Sequence, residues 1–127
     1  MSDSSAVKLR ALRGAITVES NTEDAILEGT EELVRAVMER NELEPEQMVS
    51  CIFTCTEDLN AQFPAVAARG LGLAGVPLLC AREIEVPGSL PRVIRLMLHC
   101  YAEESTEMRH VYLREAKSLR RDLEGAQ

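Results

Sequence analysis

The sequence predicts an α+β domain, in which a mixed sheet of about five strands packs with one long helix and one or more short helices. Apolar residues from Ile26 to Met38 recur at three- and four-residue steps, which is the period of an amphipathic helix. Short apolar runs rich in β-branched residues are separated by Gly, Pro and Asn, as in strands joined by turns. The length of 127 residues suits one core. We expect residues 1–6 to form a disordered N-terminal extension, 7–119 one domain, and 120–127 a flexible tail.

The first strand and the long helix carry recognisable local signals. Residues 7–18 alternate as in a strand, and Gly14 predicts a bulge or a close backbone approach that re-aims Arg13. Ser20 to Glu23 has the form of a capping box, although Thr22 could cap the helix equally well. Asn41 and Pro45 then end a helix of about twenty residues.

The remaining elements are short. The segment 48–55 is nearly all apolar, which predicts a strand buried on both faces. A helix with Pro64 in its first turn is stopped by Gly70 and Gly72. The other predicted elements are a helical turn at 45–47 and strands at 76–83, 93–101 and 111–119.

Charge and composition exclude several classes of function. A net charge of −7 argues against a surface for nucleic acid or for an anionic membrane. No apolar run is as long as a membrane span, and residues 1–5 lack the basic and apolar regions of a signal peptide, so we expect a cytoplasmic protein. In a strand Cys51 and Cys55 lie more than about 12 Å apart, too far to share a zinc ion. We therefore expect no metal and mostly buried, reduced thiols.

A charged residue stands inside the apolar run from Pro91 to Cys100. In a strand, Arg95 shares a face with Val93 and Met97. An arginine does not lose its proton, and a desolvated guanidinium without a partner costs several kcal/mol, so an anion or an oxygen-rich group should meet it. The partner is either a carboxylate of the protein or a ligand.

Five stretches, in order and at compatible spacing, resemble one family over roughly residues 9–123. They are Leu12-Arg-Gly-Ala-Ile-Thr-Val-Glu19; Thr54 to Leu59 with Phe63-Pro-Ala65 and Arg69; Val76-Pro with Cys80 and Glu83; Ile94-Arg-Leu-Met97; and Arg109-His-Val-Tyr-Leu113. Together they are similar to the monofunctional, trimeric chorismate mutases with a pseudo-α/β-barrel fold. The resemblance implies rearrangement of chorismate to prephenate, towards phenylalanine and tyrosine, without a nucleophile, metal or cofactor.

The resemblance also implies a role for each matching residue. Arg95 would donate to the ether oxygen and a carboxylate, and Arg13 and Tyr112 would hold the side-chain carboxylate. Glu83 would bind the ring hydroxyl together with the backbone or thiol of Cys80, and would counter partial positive charge on the ring.

The remaining matches would complete the pocket. Phe63 and Leu119 would form apolar walls, Arg69 would help to close the mouth, and Arg120 would attract the substrate. The family's pocket lies between adjacent subunits of a homotrimer, so Phe63 and Arg69 would come from the neighbouring chain.

Three positions depart from the family pattern. Leu79 stands where a threonine is common, Val66 where a lysine is common, and residues 120–123 read Arg-Arg-Asp-Leu rather than Arg-Pro-Asp-Leu. We expect affinity to be affected more than the existence of activity. Two alternatives stay open: a trimer that binds a carboxylate ligand without turnover, and a deaminase-like trimer of similar architecture.

Overall fold

The computed structural model describes residues 6–120 and shows a mixed five-stranded sheet. The strands are β1 (Val7–Thr17), β2 (Met48–Cys55), β3 (Leu78–Arg82), β4 (Val93–Glu103) and β5 (Val111–Leu113). They lie side by side in the order β3-β2-β4-β1-β5. The central strand β4 runs antiparallel to β1 and β2, whereas β3 is parallel to β2 and β5 is parallel to β1. The predicted mixed sheet is confirmed. The predicted extension and tail are represented by Ala6 and Arg120 alone, because their other residues lie outside the described range.

The long helix α1 spans Glu23–Arg40. Thr22 is its N-cap, because its hydroxyl oxygen accepts a hydrogen bond from the backbone N–H of Ala25 at 3.1 Å. Asn41 ends the helix, and its side-chain amide donates to the Val37 carbonyl at 2.9 Å. The capping signal in the sequence therefore located the start of the helix, with Thr22 as the capping residue.

The short helix α2 spans Pro64–Ala68 and has its proline in the first turn, as predicted. A wide turn of π-helix over Arg69–Leu73 follows it, where Gly72 adopts a φ of 97°. That conformation favours glycine and turns the chain towards β3. Single turns of 3₁₀ helix occur at Pro45–Gln47 and Arg114–Ala116.

Both helices pack against the same face of the sheet, which we call the core face. Strand β4 shows the division clearly, because Ile94, Leu96 and Leu98 are buried in the main apolar cluster. The alternate residues of β4 point to the opposite, open face. The core face also carries Leu12, Ile16, Cys51 and Phe53 from the neighbouring strands.

One prediction about the strands was wrong, and another offered two alternatives, of which the structure supports the second. Strand β2 is not buried on both faces, because Val49 and Ile52 are each 37% exposed. Strand β1 has no bulge at Gly14, since its register with β4 is continuous from end to end. The glycine instead allows a close approach: a Cβ there would lie 3.2 Å from Leu33 of α1 and 3.3 Å from Leu96.

The predicted last strand, 111–119, ends at Leu113. Arg114 has a φ of 55°, which breaks the extended conformation. Its guanidinium donates to the Thr17 carbonyl at 3.0 Å and forms an ion pair with Glu32 of α1 at 2.7 Å. The chain then turns through the second 3₁₀ turn, and residues 117–120 are helical. Strand β3 is also shorter than predicted, and β4 is longer.

Candidate active site

The open face of the sheet brings together residues that are far apart in sequence. Arg95 on β4 pairs directly with Thr54 on β2 and with Ala15 on β1. Ala15 pairs in turn with Tyr112 on β5. Because directly paired residues project to the same side of a sheet, these side chains share the open face. Arg13, two residues before Ala15, also projects there.

These side chains line a pocket of about 230 Å³. Its floor is the backbone of the central strands, and its walls combine two arginines with apolar and hydroxyl-bearing side chains. The described residues that line it are Arg13, Gly14, Ala15, Ile52, Thr54, Arg95, Leu96, Met97 and Tyr112. We call this the arginine pocket.

Arg95 forms an ion pair with Glu83. Its Nε donates to Glu83 Oε2 at 2.9 Å, and the Thr54 hydroxyl donates to the same oxygen at 2.8 Å. The Glu83 side chain is only 15% exposed, whereas that of Arg95 is 41% exposed. Within the described residues, the terminal guanidinium nitrogens of Arg95 make no other hydrogen bond. Arg95 can therefore keep its protein carboxylate and still present donors to a ligand.

The arginine pocket is positive although the protein is acidic. Arg13 and Arg95 contribute two positive charges and Glu83 one negative charge, whereas the whole chain carries −7. No ion pair of the Arg13 guanidinium occurs among residues 6–120. A local surplus of positive charge in a partly apolar cleft suits an anionic ligand.

A histidine supports the backbone at Arg13. The backbone N–H of Arg13 donates to Nδ1 of His110 at 3.0 Å, just before β5 begins to pair with β1. Burial lowers the pKa of His110, and the Arg13 charge lowers it further. The neutral ring, whose Nδ1 can accept a hydrogen bond, is therefore favoured over the protonated ring.

A small apolar cluster lies at one end of the arginine pocket. It contains Ala15, Val93, Tyr112 and Ala116, with Leu119 packed against it. Tyr112 is 9% exposed and borders the pocket directly. The segment after β5 thus covers part of the open face and places Leu119 near the pocket wall.

Phe63 and Arg69 lie elsewhere. They line a second pocket of about 490 Å³, together with Val76, Leu79 and Cys80. Phe63 is 65% exposed, so most of its ring is open to solvent in the single chain. Neither residue lines the arginine pocket. Within one chain, the predicted site residues therefore form two separate groups.

Cys80 projects to the core face. It pairs with Phe53 and packs against the main apolar cluster, so its thiol points away from the face that carries Arg95. Of the two contacts expected from the sequence, thiol or backbone, this orientation leaves the backbone.

All four cysteines are free. Burial raises the pKa of Cys51 and of Cys55 to about 12, and the neighbouring Cys80 contributes a smaller part of the increase.

Arg120 is exposed, at the end of the described residues. It is not among the described residues that line either pocket.

Over residues 6–120, no three His, Cys, Asp or Glu side chains are grouped so that they could hold a metal ion. Among the helices of residues 6–120, none has the length and hydrophobicity of a membrane-spanning segment.

Comparison with protein families shows to which family the chain belongs. The family model for type I chorismate mutase matches residues 9–123. The chain belongs to the type I chorismate mutase family. Its relatives include the chorismate mutase AroH of Thermus thermophilus, which is 52% identical over 121 residues, covering 94% of this chain and 99% of that protein. The chorismate mutase AroH of Bacillus subtilis is 41% identical over 117 residues, or 91% of this chain and 92% of the relative.

The fold agrees with this membership of the type I chorismate mutases. A solved chorismate mutase from Clostridium thermocellum superposes with a TM-score of 0.80 at 44% sequence identity. The match covers 86% of this chain and 98% of that one. The resemblance recognised in the five sequence stretches is confirmed, as is the fold class.

Sequence reasoning missed two polar contacts of this candidate site. Thr54 and His110 each belong to a stretch that matches the family, but the sequence assigned a role to neither of them. Both contacts depend on which residues lie opposite each other across strands, and the register was not visible in the sequence. The apolar residues Ile52 and Met97, which line the arginine pocket, were missed for the same reason.

Proposed function

We propose that this chorismate mutase rearranges chorismate to prephenate in the arginine pocket, and that a neighbouring chain completes the site. The observation that carries the proposal is the Arg95–Glu83 pair, with Arg13 beside it on the open face of the sheet. Chorismate is a dicarboxylate, and the two arginines supply the positive charge that it needs. The family membership supports the proposed reaction, and the pocket geometry supports the arginine pocket as the site where it occurs.

Arg95 has the central role in this proposal. The rearrangement breaks an ether bond and forms a carbon–carbon bond within one molecule, so electron density grows on the ether oxygen in the transition state. A guanidinium that is already fixed by Glu83 can donate to this oxygen and to a carboxylate without reorganising. Holding the substrate in its compact conformer supplies a further part of the rate enhancement.

Glu83 and Arg13 act at the two ends of the substrate. The second carboxylate oxygen of Glu83, Oε1, accepts no hydrogen bond from the described residues, so it can accept one from the ring hydroxyl. Its negative charge also counters the partial positive charge on the ring. Arg13 and Tyr112 hold the side-chain carboxylate, and the Cys80 backbone adds a contact to the ring hydroxyl.

The proposed homotrimer explains two features of the single chain. The open face exposes large apolar side chains, among them Leu9, Ile52, Leu79 and Tyr101, which a partner would cover. Phe63 and Arg69 form their own pocket away from Arg95. If each site combines both groups, Phe63 from the neighbour forms a wall and Arg69 closes the mouth.

Four residues have lesser roles in this proposal. Leu119 completes the apolar wall near Tyr112, and Arg120 attracts the anionic substrate. Val66 is 37% exposed and Leu79 is 61% exposed, and neither carries a polar group that could contact the substrate. We expect these two positions to weaken binding rather than remove turnover.

We also place the protein in the cytoplasm, which its four free thiols support.

The direct test is the loss of chorismate's ultraviolet absorbance with purified protein, with prephenate confirmed by acid conversion to phenylpyruvate. Saturable turnover is the expected result. A folded oligomer that binds chorismate but forms no prephenate would favour the non-catalytic binding trimer, and Val66→Lys and Leu79→Thr would then be the first changes to make.

A further inference from the structure

We infer that Thr54 is a positioning residue for the reaction, and that it acts by fixing the carboxylate of Glu83. The inference rests on the proposed function, since it takes Arg95 and Glu83 as the groups that meet the substrate. It adds a residue whose role is separate from theirs, because Thr54 acts through Glu83 rather than on the reacting atoms.

The backbone of Glu83 lies where the sheet ends. Strand β3 stops at Arg82, Glu83 follows it directly, and the residue after Glu83, Ile84, is 88% exposed. A single backbone hydrogen bond, from the Glu83 N–H to the Cys55 carbonyl at 2.9 Å, ties the residue to β2. The orientation of the carboxylate therefore depends on its side-chain contacts.

Two donors converge on one oxygen of that carboxylate. The Thr54 hydroxyl and Arg95 Nε both donate to Oε2, at 2.8 and 2.9 Å. With Oε2 held from two sides, Oε1 is turned to a defined direction. Loss of either donor would leave the carboxylate with one hydrogen bond and a wider range of orientations about its last torsion.

Thr54 is well placed to serve as the fixed member of this set. It lies in β2, directly opposite Arg95 in β4, and both are interior strands of the sheet. A β-branched side chain in a strand has few χ1 rotamers, so its hydroxyl loses little freedom when it binds Glu83. The long side chains of Arg95 and Glu83 are flexible by comparison. Thr54 is thus fixed by the sheet, and its hydrogen bond restricts the movement of the Glu83 carboxylate.

The test replaces the hydroxyl at almost constant shape. Thr54→Val should lower kcat about tenfold, because a hydrogen bond to a charged group is lost, while KM changes less. Thr54→Ser keeps the donor and should stay within about twofold of wild type. Thr30→Val is the matched control, since the Thr30 hydroxyl is buried in α1 and donates only to the Ile26 carbonyl at 2.7 Å. It should leave kcat unchanged.

A double-mutant cycle separates positioning from a structural role. In a Glu83→Gln background, Thr54→Val should cause little further loss of kcat, because the group through which it acts is already altered. An equal loss in both backgrounds would overturn the inference, as would wild-type kcat for Thr54→Val in a protein where Glu83→Gln is impaired.

A crystal structure of Thr54→Val gives a readout that does not depend on turnover. We expect the Glu83 carboxylate to be rotated or to occupy more than one position. An unchanged, single carboxylate position would contradict the inference. Absence of turnover in the wild-type protein would count against the proposed function instead, and the crystal structure would still decide whether Thr54 fixes Glu83.

Discussion

The two faces of strand β4 carry side chains of comparable size but different surroundings. On the core face, Leu96 and Leu98 are at most 4% exposed and pack beneath the helices. On the open face, Arg95 is paired with Glu83 and lines a pocket. If the arginine pocket is the active site, as we propose, one face of β4 contributes to stability and the other to catalysis. Substitutions on the two faces should therefore separate turnover from folding.

The largest expected effect on the open face is that of Arg95→Ala. Removing a preorganised donor aimed at developing charge should lower kcat by about 100- to 1,000-fold. The midpoint of thermal unfolding should change little, because Arg95 is partly exposed. Steady-state kinetics and calorimetry on the same preparation measure both quantities. Retention of most of the activity would show that Arg95 does not meet the ether oxygen.

The largest expected effect on the core face is that of Leu98→Ala. Leu98 is 1% exposed within the main cluster, and leucine-to-alanine changes at such sites cost about 2–5 kcal/mol of unfolding free energy. Turnover per folded site should stay near that of wild type at a temperature where the variant is folded. Denaturant unfolding measures the unfolding free energy, and steady-state kinetics measures the turnover. A Leu98→Ala variant with full stability but low kcat would contradict the proposal that the core face serves stability and the open face serves catalysis.

The sequence predicted most of the elements and the residue types of the candidate site. Helix α1 could be predicted because its period and its cap are local signals, and Arg95 was recognised because a charge interrupts an apolar run. The contacts of Thr54 and His110 could not be predicted, since each joins residues at least 29 positions apart through strand register. The interpretation of β2 as buried on both faces was wrong, because exposed apolar residues such as Ile52 have the same sequence pattern as core residues.

A smaller effect concerns pH. The lowered pKa of His110 means that the folded protein prefers the neutral ring, while the unfolded chain takes up a proton near the ordinary value of 6.5. Stability from this residue is complete above 6.5 and declines as pH falls from there towards the lowered pKa. His110→Asn keeps an acceptor for the Arg13 N–H but does not titrate. Its unfolding free energy should therefore fall less than that of wild type between about pH 7.5 and 5.5, as measured by denaturant unfolding. Parallel pH dependences would contradict this role of His110.

The central claim is that Arg95 of one chain and Arg69 of its neighbour serve the same site, and mixed oligomers test it most directly. Arg95→Ala and Arg69→Ala chains, each shown to be inactive alone, are unfolded together at equal amounts and refolded. Random assembly of shared sites restores both arginines at about one site in four. We therefore expect about a quarter of wild-type activity per site. No recovery in verified mixed oligomers would mean that each site lies within a single chain.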